Sequence, residues 1–219
     1  MKIIFPLLNE PFEIRDDKIN QIVFESPAAM YGFVNQLYCQ MNKQDGDIVL
    51  SDNDKIVDLT KGMDLTTDYF PFEINRKSLI TKLQANMKSY AINEHIYEIN
   101  MLMSSIEKII DDLSECVDCS IEYDEIDIAG IIKLANVRLC NDSDKLHEQV
   151  IDYCKNTVSL LGEKVFVFVS LRNYLAEEDF SSFCKMVIDN KLKILLIEDR
   201  ERDADCLNNL VIDNDLCVI

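Results

Sequence analysis

Glycine and proline are scarce in this chain, which has five and four of them among 219 residues. That scarcity excludes collagen-like, linker-rich and low-complexity architectures. No apolar run approaches the roughly 18 residues that a membrane span needs, and the apolar stretch at 2–8 is too short for a secretory signal. The sequence therefore predicts a soluble protein with no membrane partner that stays in the cytoplasm.

Basic residues are also few. The chain has 22 Lys and Arg against 40 Asp and Glu, so its formal net charge is −18. Such a balance argues against a general electrostatic attraction to nucleic acid. If the protein binds DNA, its basic side chains must be gathered on one local surface. With 48% apolar residues, the chain is long enough for one large domain, or for a core with one appended lobe.

A phosphate-binding loop is missing. Nucleotide hydrolysis needs a glycine-rich turn that leads into a helix, with a Lys and a Ser or Thr. The nearest stretch, Gly162 to Lys164, has one glycine and follows a predicted helix instead of preceding one. The two histidines, His95 and His147, lie in helical stretches with no local nucleophile. The sequence therefore predicts a protein that is not an enzyme.

Eight cysteines are scattered through apolar-periodic segments, and this favours reduced, mostly buried thiols. Cys116 and Cys119 form a CxxC that, with Cys140 and His147, makes a conceivable zinc set. The second half of that set lacks the close spacing of zinc motifs, so we favour small side chains at a helix end over a metal site.

The two ends of the chain predict an α/β core. Residues 164–170 and 192–198 are continuous β-branched apolar runs typical of buried parallel strands, and the amphipathic stretch 177–189 is a crossover helix between them. Short strands are predicted at 2–8, 12–15, 21–24, 47–50 and 55–59, with a final one at 215–219. Ser26 and Pro27 begin a helix that extends to Met41.

The middle of the chain is helical. Residues 75–116 contain neither Gly nor Pro and keep helical periodicity, which predicts a pair of long helices or one bent near Asn93. Further helices are predicted at 127–134 and at 143–161, the second capped by Ser143 or Asp144 and stopped at Gly162. The predicted domains are an α/β head at 1–74 and 163–219, mostly a parallel sheet, and an inserted helical leg at 75–162.

Eight acids crowd into residues 111–127 with no Lys or Arg among them. A solvated face is the ordinary use of such a run. The run also straddles a helix end, where backbone carbonyls are available, and crowded carboxylates repel unless they bind a cation. Ca²⁺ tolerates irregular oxygen ligands, so a calcium site is the functional alternative. Asp142 and Asp144, at the next helix start, can complete it.

Residues 75–90 contain four bases and no acid. On a helical wheel Lys77, Lys82 and Lys88 lie off the apolar arc, so the helix buries one side and presents lysines elsewhere. Solvated lysines are the ordinary interpretation, and a phosphate-facing, sequence-blind DNA surface is the alternative. The residues that extend such a surface are Lys133, Arg138 and Lys145.

Several segments in order resemble one known family. They are the stretches 5–11, 65–75, 122–126, 131–134, 164–169 and 195–200. Each is weakly specific, but their order and spacing over nearly the whole chain resemble the CRISPR-associated Csn2 family of type II-A systems. The resemblance implies an α/β head related to nucleotide-hydrolase cores but lacking the phosphate loop, with an inserted α-helical leg.

The resemblance also implies a function. Such proteins are expected to form homotetrameric rings in bacteria that bind double-stranded DNA ends through a basic central hole, with calcium ordering the ring. They are expected to support acquisition of new spacers in CRISPR antiviral immunity, with the CRISPR integrase and the RNA-guided effector nuclease as partners. A metal-dependent nuclease that uses the acids at 111–127 is the alternative function.

Site residues follow from the same resemblance. Matching the family's calcium-binding acids are Glu122, Asp124, Glu125 and Asp144. Ser120 stands where relatives place an aspartate, so the alternatives are that Asp118 or a water takes that position or that calcium binds more weakly. Lys133 matches a family lysine in the helix after the acidic loop, and its contact with DNA is our inference.

Overall fold

A computed structural model describes residues 1–141, 143–202 and 204–219. The chain divides into two compact units, which we call the first unit (Met1–Ile74 with Asn141–Ile219) and the second unit (Asn75–Cys140). The strands are β1 Lys2–Ile4, β2 Phe12–Glu13, β3 Ile19–Phe24, β4 Val49–Asp52, β5 Lys55–Val57, β6 Met63–Thr66, β7 Val165–Val169, β8 Lys193–Glu198 and β9 Leu207–Ile212. The α-helices are α1 Pro27–Met41, α2 Leu59–Gly62, α3 Lys77–Glu94, α4 Ile96–Ser114, α5 Ile128–Leu134, α6 Leu146–Leu161 and α7 Glu177–Asp189, and a 3-10 helix covers Leu171–Tyr174.

The first unit is built on a five-stranded parallel sheet in the order β6-β7-β8-β3-β9. The apolar runs of β7 and β8 are central in it, as the sequence predicts, and α7 is the crossover between them. Ile194, Leu195, Leu196 and Ile197 of β8 are fully buried because both faces of the sheet are covered. The prediction of a mixed α/β fold with a parallel sheet is confirmed.

A second, antiparallel sheet in the order β2-β1-β4-β5 covers one face of the first unit with α1. Phe5 after β1, Phe24 at the end of β3 and Phe33 of α1 form the aromatic centre of this core, with ring centroids 4.6 to 6.2 Å apart. α1 begins where Ser26 and Pro27 predict, since Ser26 Oγ accepts the Ala29 N–H at 3.4 Å.

The second unit consists of α3, α4 and α5. α3 and α4 are separated by His95 alone, so the first of the two predicted alternatives, a pair of long helices, is confirmed. Leu79 of α3 and Ile132 of α5 are the buried side chains of these helices. Asn75 joins the two ends of the unit, because its Oδ1 accepts the Leu139 N–H at 2.8 Å and its Nδ2 donates to Leu139 O at 3.2 Å.

The boundary of the helical insertion differs from the predicted one. The sequence assigns residues up to 162 to the helical leg, whereas residues 141–162 group with the first unit. The cause is α6, whose apolar face is buried against the sheet. Tyr153 packs edge-on against Phe166 of β7, with centroids 6.2 Å apart, and donates from its hydroxyl to Asp64 Oδ2 at 2.8 Å.

Two further local predictions are wrong. Residues 215–219 do not form a strand, and the last strand is β9, with Val218 making an isolated bridge to Ile212. α6 begins at Leu146 and not at Ser143 or Asp144, because Ser143 Oγ accepts the Lys145 N–H and donates to Glu148 instead of capping the helix. Gly162 ends α6 with a φ of 88°, as predicted. None of the helices in the described ranges has the length and apolar character to cross a membrane.

Candidate functional site

The predicted basic surface lies mostly in the second unit. Lys77 and Lys82 lie on α3, and Lys133 lies at the end of α5, which packs against α3. These three lysines and Arg138 are exposed, and no salt bridge to any of the four occurs within residues 1–141, 143–202 and 204–219. Their charges are therefore available to a polyanion such as the DNA backbone.

Lys88 differs from its neighbours because an acid holds it. Its Nζ lies 3.0 Å from Asp127 Oδ2, while Asp127 Oδ1 accepts the Gly130 N–H at 2.7 Å and caps α5. The hydrogen bond from Gly130 and then that from Lys88 lower the pKa of the Asp127 carboxyl group below its usual range. Lys88 thus fixes α3 to the start of α5, and its charge is partly neutralised.

Lys145 is also paired, and it lies in the first unit. Its Nζ is 3.6 Å from Asp179 Oδ1 at the start of α7, and the buried His147 Nδ1 is 3.5 Å from the same oxygen. The six predicted DNA-binding residues therefore divide into four exposed cations that form no salt bridge within the described residues, and two, Lys88 and Lys145, that are held by aspartates.

The predicted calcium ligands are exposed acids that come from both units. Asp118, Glu122, Asp124 and Glu125 are all exposed in the irregular segment between α4 and α5, and Asp144 is exposed in the first unit. In the part of the chain that the structure describes, no three Asp, Glu, Cys or His side chains lie close enough together to hold a metal ion. The same finding applies to the zinc set that the sequence offers, Cys116 and Cys119 with Cys140 and His147. Asp142, which the sequence offers as a further calcium ligand, lies outside the described residues.

One acid of the run 111–127, Asp111 at the end of α4, accepts a hydrogen bond from this segment. The Tyr123 hydroxyl donates to Asp111 Oδ1 of α4 at 2.7 Å, and this bond raises the pKa of Tyr123. The contact holds the middle of segment 115–127 against the end of α4. The sequence gives no signal for it, because the two residues are twelve positions apart across an irregular stretch.

The carboxyl edge of the parallel sheet, where α/β proteins commonly bind ligands, does not suit a phosphate. Pro27 has no N–H, and the Ala29 N–H is taken by Ser26 Oγ, so the start of α1 offers little to an anion. A cavity of about 550 Å³ lies here, and Glu25 and Asp199 are among its lining residues. Their carboxylates repel a triphosphate.

A buried charged cluster next to this edge escaped the sequence analysis. Glu198 ends β8 with only 1% of its surface exposed, and its Oε1 accepts the Arg172 N–H at 3.1 Å. Burial raises the pKa of Glu198 to about 7. The guanidinium of Arg172 lies 4.0 Å from the Phe180 ring centroid. Arg172 and Arg202 each donate to the other's carbonyl oxygen, at 2.6 and 2.8 Å. The cluster fixes the segment that follows β8.

Comparison with known proteins gives the family. The family model described as CRISPR-associated protein (Cas_Csn2) matches residues 40–216. CRISPR-associated protein Csn2 of Streptococcus agalactiae is 26% identical over 223 residues, covering 100% of this chain and 97% of the relative. The Enterococcus faecalis protein of the same name is 21% identical over 213 residues, covering 91% of this chain and 90% of the relative.

A solved structure has a similar fold. The crystal structure of Stu0660 of Streptococcus thermophilus superposes with a TM-score of 0.58 at 12% identity, covering 96% of this chain and 74% of the other. Because the family model spans most of the chain, the chain belongs to the CRISPR-associated Csn2 family, as the order of its motifs predicts. The family acts in type II-A CRISPR systems.

Proposed function

We propose that this protein is a non-enzymatic, sequence-independent binder of double-stranded DNA ends that assembles into a homotetrameric ring. Its role is to support the acquisition of new spacers, together with the CRISPR integrase and the RNA-guided effector nuclease. Family membership supports the proposal, and the site adds a physical reason to it. Lysines contact phosphates without reading base edges, so a lysine-lined surface binds DNA of any sequence.

The observation that carries the proposal is the group of four exposed cations in a strongly acidic chain. Lys77, Lys82, Lys133 and Arg138 lie in the second unit, and no acid pairs with them within the described residues. The chain has 40 acidic residues and only 22 Lys and Arg, so a group of cations without salt bridges is an uncommon use of its few bases, and a polyanionic ligand accounts for it. Four copies around one axis bring sixteen of these charges to a common tunnel and leave the acids elsewhere.

An exposed apolar face on α4 supports the proposed assembly of several chains. Ile99, Leu102, Ile106, Ile109 and Leu113 lie within an arc of about 80° on this helix, and we call this arc the α4 stripe. No residue of α4 is buried, and Leu102, Ile109 and Leu113 are 45%, 57% and 61% exposed. An amphipathic helix with an uncovered apolar face indicates a protein interface. We propose that another copy of the chain covers the α4 stripe.

Calcium enters the proposal as an ion that gathers separated ligands. Asp118, Glu122, Asp124, Glu125 and Asp144 are exposed carboxylates, and the described residues contain no group of three such side chains that could hold a metal ion. A bound Ca²⁺ offsets the repulsion among such groups, so we expect binding to order the segment between α4 and α5. Since Ser120 lacks a carboxylate, water completes the coordination sphere.

The test compares one duplex in two forms, linear and covalently closed, in a mobility-shift assay with Ca²⁺. A ring threads onto a free end, so we expect retention of the linear form and little retention of the closed one. Equal retention of both contradicts threading. A second assay incubates the protein and an end-labelled linear duplex with Mg²⁺, Mn²⁺ or Ca²⁺. We expect the labelled duplex to remain intact, and release of the label would show that the protein is a nuclease instead.

A further inference from the structure

Two cysteines of the first unit lie next to each other. Cys184 is buried on α7, and Cys206 is partly exposed at the end of the segment that follows β8. Their sulfur atoms are 3.0 Å apart, although 22 residues separate them along the chain. A disulfide has a sulfur–sulfur distance of about 2.05 Å, so a shift of about 1 Å brings the two atoms to bonding distance.

The backbone around Cys206 is anchored, so a small side-chain movement is enough. The Cys206 carbonyl oxygen accepts the Ile19 N–H at 3.0 Å, and the Leu207 N–H donates to Ala204 O at 3.0 Å. Cys184, the other partner, lies on the buried face of α7 with Phe180 and Phe183. Both partners are therefore held in place before any reaction, and this lowers the entropy cost of forming a bond between them.

The two thiols have different roles because their surroundings differ. Burial, and then the hydrogen bond with Cys206, raise the pKa of the Cys184 thiol, so it stays protonated and cannot make the first attack. Cys206 reaches solvent, where an oxidant arrives. The pair thus resembles a reactive cysteine backed by a resolving cysteine.

We propose that Cys184 and Cys206 are a reversible oxidation site that peroxide converts to an intramolecular disulfide. The Cys206 thiolate attacks one peroxide oxygen, forming a sulfenic acid as hydroxide leaves. The Cys184 sulfur then displaces the sulfenic oxygen, which leaves as water with the thiol proton. Two electrons pass from the two thiols to the peroxide, and a small dithiol returns the pair to the reduced state.

The disulfide links the segment after β8 to α7. That segment contains Arg200 and Arg202, and Arg202 is already bonded to Arg172 O and to Asn173 Oδ1, at 2.8 and 2.5 Å. Closing a loop of this length restricts the unfolded chain, so we expect the oxidised protein to unfold about 5–10 °C higher than the reduced protein. Trypsin cleavage after Arg200 and Arg202 is also expected to slow.

The experiment treats the full chain with hydrogen peroxide, blocks remaining thiols with iodoacetamide and maps crosslinks by mass spectrometry. Cys217 shares the last tryptic peptide with Cys206, so the assay uses Cys217→Ser protein. We expect a crosslink between Cys184 and Cys206 that dithiothreitol reverses. Before alkylation, the oxidised protein is expected to have a mass about 2 Da below that of the reduced protein. Cys184→Ala and Cys206→Ser are each expected to abolish the crosslink and the rise in melting temperature, whereas Cys39→Ser preserves both.

Three outcomes would overturn the proposal. The first is that both thiols remain alkylatable after peroxide treatment. The second is that links between other cysteines predominate, and the third is that the rise in melting temperature persists in Cys206→Ser protein. Cys206 is partly exposed, so its serine variant is expected to fold even if a change at the buried Cys184 destabilises the chain. None of these outcomes depends on DNA binding.

Discussion

Glu198 shows how burial changes the chemistry of one residue. Its carboxyl group is buried at the end of β8, and its Oε2 has no hydrogen-bond partner in the described residues. Burial raises its pKa from 4.5 to about 7. Between these pH values the unfolded chain releases a proton that the folded chain keeps. The contribution of Glu198 to stability is therefore fully present below about pH 4.5 and is lost as the pH rises through 7.

Glu198→Gln tests this directly. Glutamine keeps an acceptor for the Arg172 N–H and cannot ionise, so we expect the variant to be more stable than the wild type at pH 8 by roughly 3 kcal/mol, and nearly equal at pH 4.5. Urea unfolding at the two pH values gives the comparison. Asp199→Asn, at an exposed neighbour, serves as the control. If Glu198→Gln changes the free energy of unfolding equally at both pH values, burial does not raise the pKa of Glu198.

Asp127 joins two helices through one carboxylate, and its two oxygens can be tested separately. Asparagine keeps the cap on Gly130 but loses the charge that holds Lys88, and alanine loses both. We expect amide hydrogen exchange in α5 to be fastest in Asp127→Ala and intermediate in Asp127→Asn. Because the pKa of Asp127 is lowered, the protection factors of these wild-type amides, which correct for the intrinsic pH dependence of exchange, should fall only as the pH falls through that depressed pKa. Unchanged exchange in Asp127→Ala contradicts the capping role.

At the scale of elements, the sequence predicts what is central and misses what is at the edges. β7 and β8 have unbroken apolar patterns because they are buried in the middle of the sheet, and α7 has a periodic apolar pattern because one of its faces is buried. β6 and β9 are the edge strands of the parallel sheet, and edge strands tolerate polar residues such as Asn208 and Asn209. Their patterns therefore do not stand out from those of loops.

The candidate site, too, could be predicted from the sequence only in part. A helical wheel predicts that the lysines of α3 avoid the apolar face, and the structure confirms that Lys77 and Lys82 are exposed. The pairing of Lys88 with Asp127 depends on the packing of α3 against α5, and that of Lys145 with Asp179 depends on the packing of α6 against α7. Side chains that are 39 and 34 positions apart meet only through tertiary structure, which periodicity does not contain.

The α4 stripe gives a prediction about assembly. Two charges at its exposed positions, Leu102→Glu with Ile109→Glu, are expected to prevent association because burying unpaired carboxylates is costly. Light scattering should then report single chains. Circular dichroism should report unchanged helix, because neither side chain is buried in the single chain. The control is Asn100→Glu with Ser104→Glu on the opposite side of α4, which should leave the assembly intact. Loss of assembly in the control would place the interface elsewhere.

At the scale of the whole molecule, DNA binding should follow the exposed lysines and not the total charge. Lys82→Ala with Lys133→Ala is expected to weaken binding of a linear duplex by about tenfold or more, equally for unrelated sequences. The log–log salt dependence should become shallower by about 0.9 for each phosphate that the variant no longer neutralises. Fluorescence anisotropy across a salt series measures both. Lys185→Ala, at an exposed position on α7, is the matched control, and an equal loss of affinity there would mean that the effect is not local.

The central claim is that copies of this acidic chain close around an axis to present a cationic tunnel. Sedimentation or light-scattering mass in solution, with Ca²⁺ and with a chelator, tests it most directly because it reports assembly and metal dependence together. The account predicts the mass of four 25.3 kDa chains with Ca²⁺ and a smaller species after chelation. A single-chain mass at every Ca²⁺ concentration would contradict it.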